Sequence, residues 1–115
     1  MIRDKQRAVM AYGHFAAVGG DGVGDKYKII VNGFCGTLVR SGLASAMSYL
    51  ERDGGPAAVL FRNHLAQALA PFLNHPRVTG QDLPAVVRAL PDADYMLVSR
   101  EALRAAVWYK RAIQA

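Results

Sequence analysis

Glycine and proline cut this chain into a few long stretches, and that punctuation limits its fold more than any other feature. G-G-D-G-V-G-D at 19–25 and D-G-G-P at 53–56 are the sharpest breaks, with a longer irregular stretch, N-H-P-R-V-T-G-Q-D, at 74–82. Between the breaks apolar residues return every three or four positions. Ala8, Tyr12, Phe15 and Val18 form the first such series, and Leu43, Ala46, Met47 and Leu50 repeat it after Gly42. Phe61, Leu65, Ala68, Leu69 and Phe72 make a third stripe, with Asn63 and Gln67 opposite. The spacing predicts an all-α chain, a compact single-domain bundle of about five to six helices over residues 1–115, with Tyr12 as one of its packing anchors.

The residues that start and stop helices refine this outline. Pro56 suits a first helical position, and Pro71 stands where it kinks or ends the same helix. A short helix is expected from Asp82 to Leu90, stopped before Pro91. Ser99 reads as the N-cap of the last helix, with Glu101 in its first turn. One segment reads two ways. Y-K-I-I-V-N-G-F-C-G-T-L-V at 27–39 carries β-branched residues around Asn32-Gly33, the mark of a two-residue hairpin. Its apolar residues run in blocks, however, and Asp25 can cap a helix ending near Gly42. A lone hairpin in a helical chain is also marginal. The expectation is therefore a helix weakened by Gly33 and Gly36, each costing about 1 kcal/mol relative to alanine.

Charge and cysteine content narrow the function. Fourteen Lys and Arg against nine Asp and Glu give +5 among 115 residues, a moderate excess that favours an acidic partner, most simply nucleic acid. Cys35 is the only cysteine, so an internal disulfide is excluded and a reducing, cytoplasmic setting is expected. No apolar run reaches the roughly 18 residues of a membrane helix, and M-I-R-D-K-Q-R is not followed by the apolar stretch of a signal peptide.

Catalytic and metal chemistry find little support. His14, His64 and His75 share no ligand spacing with each other or with Cys35, and read as surface or boundary residues, so no metal or cofactor is expected. G-G-D-G-V-G-D-K lacks the Ser or Thr after its lysine and the preceding strand of a phosphate loop, and reads as a connector. Cys35 has no neighbouring base, no serine sits in a G-x-S-x-G elbow, and capping accounts for most carboxylates. The expectation is a protein that is not an enzyme.

The cations carry more. On a helix at 100° per residue, Arg100, Arg104 and Arg111 fall within roughly 40° of one another, with Trp108 bordering them. Ala102, Ala105, Ala106, Tyr109 and Ile113 lie opposite, and Arg3, Arg7 and His14 align similarly near the N-terminus. Guanidinium groups beside an indole suit phosphate contacts and stacking. The same residues also fit a helix C-terminus that attracts cations and a tryptophan that packs.

The order of these signals resembles the small helical (fifth) subunit of the type III-B CRISPR Cmr effector complex. The stretches that carry the resemblance are R-A-V-M-A-Y at 7–12, Lys26-Tyr27, S-G-L-A-S-A-M-S-Y-L at 41–50, L-F-R-N-H-L-A-Q-A-L at 60–69 and Y-M-L-V-S-R-E-A-L-R-A-A-V-W-Y-K-R at 95–111. The family often has a proline in its second helix, where this chain has Cys35 and two glycines. What the resemblance implies is a non-enzymatic subunit of a crRNA-guided RNA-targeting complex in antiviral defence. Its expected partners are the large subunit, the backbone RAMP subunits, crRNA or target RNA, and further copies of itself in a minor filament. Arg7, Lys26, Lys110 and Arg111 match the family's cations, joining Arg100 and Arg104 as candidate RNA contacts. Tyr27 and Trp108 match positions read as packing anchors. A helical adaptor that meets acidic proteins without touching RNA is the alternative.

Overall fold

The computed structural model describes residues 2–19 and 22–115, so Gly20 and Asp21 of the glycine-rich connector lie outside the described residues. Five helices follow in order: α1 (Ile2–Ala16), α2 (Val23–Arg52), α3 (Pro56–Leu73), α4 (Leu83–Arg88) and α5 (Asp92–Gln114). There is no strand among the described residues. The 27–39 segment is helical throughout, as its block pattern predicts.

α2 is two helical arms rather than one rod. Gly42 sits at φ 88°, ψ 176°, a conformation open almost only to glycine, and it breaks the helix between Ser41 and Leu43. The second arm then folds back along the first. Tyr49 and Gly33 are sixteen positions apart, which a straight helix would separate by about 24 Å. Instead a Cβ on Gly33 would lie 2.0 Å from the Tyr49 hydroxyl oxygen. Gly33 is thus where the returning arm makes its closest approach. The Ala44 amide freed by the break donates to the Tyr95 hydroxyl at 2.9 Å, so the reversal is also pinned to α5. By length and composition α2 could cross a membrane, with mean hydropathy 1.2 over its best 18-residue window. Here it supplies ten buried core residues, from Tyr27 to Leu50.

Local chemistry ties the next elements down. The Asp53 carboxylate accepts from the Gly55 amide at 2.8 Å, turning the chain into Pro56 at the start of α3. Arg62 reaches back from α3 to donate to the carbonyls of Leu50 and Asp53, closing the open end of α2. Asn74 ends α3 in the left-handed region at φ 52°. The 74–82 stretch then lies on α3: a Cβ on Gly80 would come within 2.6 Å of the Asn63 amide nitrogen. α4 is shorter than the expected 82–90 and buries Leu83, Pro84 and Val87. The last helix begins at Asp92, seven residues before the expected start at Ser99. Pro91 and the first-turn acids Asp92 and Asp94 open it, which leaves Ser99 in the interior with a buried hydroxyl lacking a partner.

The core centres on Phe61 of α3. Tyr27, Phe34 and Tyr109 meet its ring edge-on at centroid distances of 5.6, 5.4 and 5.4 Å. Leu43, Met47, Leu50, Leu65 and Leu69 are fully buried around this cluster. Tyr27 is the anchor that the sequence suggests. Tyr12 is not: it is 42% exposed. The inward face of α1 is instead Arg7, Ala11, His14 and Phe15, with Val18 packed just beyond the helix, and Tyr12 lies more than a right angle off that face.

A polar layer joins α1 to this core, and it corrects the reading of His64 as a surface or boundary residue, while His14 lies at the boundary and His75 is exposed. His64 is buried, and His14 stacks on it at 4.0 Å between centroids and 9° between planes. Neutral imidazoles satisfy the surrounding groups. The Tyr27 hydroxyl donates to His64 Nδ1 at 2.7 Å, and the Tyr109 hydroxyl lies 2.7 Å from His14 Nδ1 and 3.3 Å from the His64 carbonyl. His14 Nε2 then donates to Gln67 Oε1 at 3.0 Å. Burial, reinforced by His14 alongside, pushes His64 down to about 4. Burial also lowers His14, against the pull of Gln67.

Gly42→Ala tests the reversal in α2. It should destabilise the protein by about 1–3 kcal/mol in chemical denaturation, because alanine is strained at that φ and ψ whatever space surrounds it.

Candidate nucleic-acid interface

α5 builds the candidate surface because its two sides differ so strongly. Val98, Ala102, Ala105, Ala106, Tyr109, Ala112 and Ile113 are buried, the small residues allowing α1 and α2 to approach closely. The opposite face presents Arg100, Arg104, Lys110 and Arg111, all exposed. Beyond Asp94 the helix has one acid, Glu101, and its side chain is 2% exposed. The outer face of α5 is therefore cationic for its last four turns, with no exposed carboxylate beyond Asp94.

Glu101 sorts the arginines. One carboxylate oxygen accepts from Arg104 at 2.9 Å, and the other from Arg7 of α1. Arg7 also donates to Asp4 at 2.8 Å and is only 12% exposed. Arg7 therefore sits in an internal ion-pair network, away from the surface where a phosphate would approach it. Arg104 shares the same acid yet keeps 54% of its side chain in solvent. The placing of Glu101 in the first turn gives way as well, since it is a buried pairing residue in mid-helix.

Trp108 borders the row rather than joining the core. It is half-buried against the cluster, and the Arg111 guanidinium lies over its ring at 4.7 Å from the centroid. The indole both anchors the helix and holds a cation at the surface. Lys26 is exposed on the first turn of α2, beside buried Tyr27, and belongs to a different element from the α5 row.

Tertiary packing adds a cation that the sequence did not single out. Arg40 of α2 and Lys110 of α5 share the rim of a groove of about 450 Å³. Val39, Leu103 and Val107 line it, and all three are exposed. The four-residue spacing of Gly36 and Arg40 lays the guanidinium across the bare glycine, where a Cβ would be 3.7 Å from it. That spacing was the only available signal. Cys35 lies at the groove's floor, its thiol pushed up by burial to about 11 against the pull of Lys110, and it donates to the Ala106 carbonyl. Such a thiol is a packing group and not a nucleophile at neutral pH. Among the described residues no three histidine, cysteine or acidic side chains gather as metal ligands.

Two substitutions separate support from contact. Trp108→Ala should lower stability by about 2 kcal/mol, below the roughly 3–5 kcal/mol of a fully buried ring, when measured by urea unfolding. Arg7→Met should cost about 3 kcal/mol by leaving Glu101 short of a partner, and should leave the affinity of the folded protein for RNA unchanged.

The comparisons with known proteins agree with this architecture. The family model described as CRISPR-associated protein (Cas_Cmr5) matches residues 3–115. Among solved structures, the chain is similar to a CRISPR-associated Cmr5 family protein from Thermus thermophilus, seen in an X-ray crystal structure. The two share 26% identity with a TM-score of 0.80, over 97% of this chain and 94% of the other. No curated protein matches. With the family model spanning nearly every residue and the same helical fold in a solved relative, this chain belongs to the Cmr5 family of CRISPR-associated proteins.

Proposed function

We propose that this Cmr subunit is a non-catalytic wall of a type III-B RNA-guided RNA-targeting complex, one unit of a minor filament that steadies an RNA backbone in antiviral defence. Its neighbours are the large subunit, the backbone RAMP subunits and further copies of itself, in the cytoplasm. Arg100, Arg104, Lys110 and Arg111 make the contact, with Lys26 adding to it from α2. The observation that carries this reading is the outer face of α5, four exposed cations with the helix's last acid turned inward. Such a surface binds phosphates without reading bases, so sequence recognition falls to pairing with the guide. Each copy neutralises few phosphates, and repetition along a filament adds those weak contacts together.

The second reading, an adaptor between proteins without RNA contact, is favoured by one feature. Met96, Leu103 and Val107 stand exposed between the cations, and exposed apolar side chains of this kind suit a protein partner.

Lys110→Glu combined with Arg111→Glu separates the two. RNA affinity of the assembled complex should fall about tenfold or more. The slope of log affinity against log salt should lessen by about 1.4, roughly 0.7 for each phosphate left without its cation on a single strand. Monomer unfolding should be little changed. Normal assembly with an unchanged salt slope would remove these two residues from the RNA path. Assembly that survives nuclease treatment, with no RNA crosslinked to this chain, would favour the adaptor.

A further inference from the structure

α1 is held differently from the other long helices. Among the described residues its one fully buried side chain is Ala11. Its hydrogen-bonded ties are Arg7 to Glu101 and His14 to Tyr109 and Gln67, beside the contact of half-buried Phe15 with Tyr27. Its link to α2 ends at Gly22, which has φ 81°. A helix with few buried apolar contacts and such a connector has the makings of a segment that opens by itself, at lower free energy than the whole domain.

The stacked imidazoles sit where α1 meets α3. Of the groups facing them, Gln67 favours a charged His14, and the rest give a cation no carboxylate of its own. α2 contributes the Tyr27 hydroxyl, and Lys28, whose ammonium lies over Phe15 next to His14. α3 contributes Gln67, and α5 the Tyr109 hydroxyl. The buried acid of the same interface, Glu101, is already shared between Arg7 and Arg104, and Asp4 is paired with Arg7. A further proton on His64 Nδ1 would meet the Tyr27 hydroxyl hydrogen. Two charged rings 4.0 Å apart would repel each other across the helix interface.

We propose that the stacked His14–His64 pair is an acid-operated latch, in which protonation of the imidazoles undocks α1 from α3 and α5 while the other four helices stay folded. The direction follows from linkage. Once α1 is released His14 regains water and the ordinary imidazole value of 6.5, and His64 loses the cover and the charge of His14, whereas in the docked state burial holds both below that value. The undocked state therefore binds protons first as pH falls, so docking is strongest above that value and weakens toward pH 4. Undocking also takes Arg7 away from Glu101 and uncovers the Tyr109 side of α5.

Hydrogen exchange of the full chain, followed by mass spectrometry from about pH 7.5 to about pH 4.5 and corrected for intrinsic rates, tests this. Protection of α1 peptides should fall about tenfold or more, while peptides from α3 and α5 hold theirs. His14→Gln keeps an amide for Tyr109 and Gln67 but cannot charge, and His64→Phe keeps a stacked ring with no titratable nitrogen. The double variant should show α1 protection that no longer changes with pH. Flat α1 protection in the wild type would overturn the latch, as would parallel loss from α1 and α3. An unchanged pH response in the double variant would overturn it too, by moving the cause away from the imidazoles. If that variant does not fold, NMR titration of the wild type decides. Both rings should titrate below 6.5, and the α1 amides should shift at the same midpoint; rings at 6.5 or above, or α1 amides that move elsewhere, would refute the proposal.

Discussion

Edge-on packing around Phe61 is the interaction on which the other arrangements rest. Its ring receives Tyr27 and Phe34 from α2 and Tyr109 from α5, so one side chain of α3 registers three helices at once. Edge-to-face contacts are directional, and they fix the rotation of each helix as well as its distance. With Tyr27 and Tyr109 held by their rings, their hydroxyls are aimed at His64 and His14, which positions α1. With α5 rotated to place Tyr109 inward, Arg100, Arg104 and Arg111 must face outward, because they lie on the opposite side of the same helix.

The buried carboxylate of Glu101 is the second organising charge. An acid this deep is stable only when paired, and it draws one guanidinium from α1 and one from its own helix. This splits chemically identical residues into different roles. Arg7 is a structural cross-link, while Arg104 remains at the surface with part of its charge offset. With that acid turned inward, only Arg104 among the cations of α5 is paired with a carboxylate of its own helix, which leaves Arg100, Lys110 and Arg111 to act on a polyanion.

Much of the fold is legible in the residue pattern, and the exceptions have definite causes. The helical segments after Gly42 and Pro56 stand out because their buried positions repeat with helical period. The start of α5 is hidden because Ser99 and Glu101 imitate a cap, and the weaker signal of Pro91 with Asp92 and Asp94 governs instead. Tyr12 misleads because α1 turns Arg7, Ala11 and His14 inward with Phe15, a mixed face that apolar spacing picks out only in part. The histidines carry no signal at all. His14 and His64 are fifty residues apart, and only the docking of α1 on α3 makes them neighbours.

By itself the sequence determined an all-helical chain, its main breaks and the cationic stripe of the last helix, because each depends on periodicity within one segment. The likeness of its ordered motifs also placed it in the family that the comparisons then showed. Only the tertiary structure decided which arginine is consumed internally, where the two arms of α2 meet and what the histidines do. Those outcomes depend on side chains far apart in sequence coming within hydrogen-bonding or van der Waals distance, and such proximity is a property of packing that no local pattern encodes.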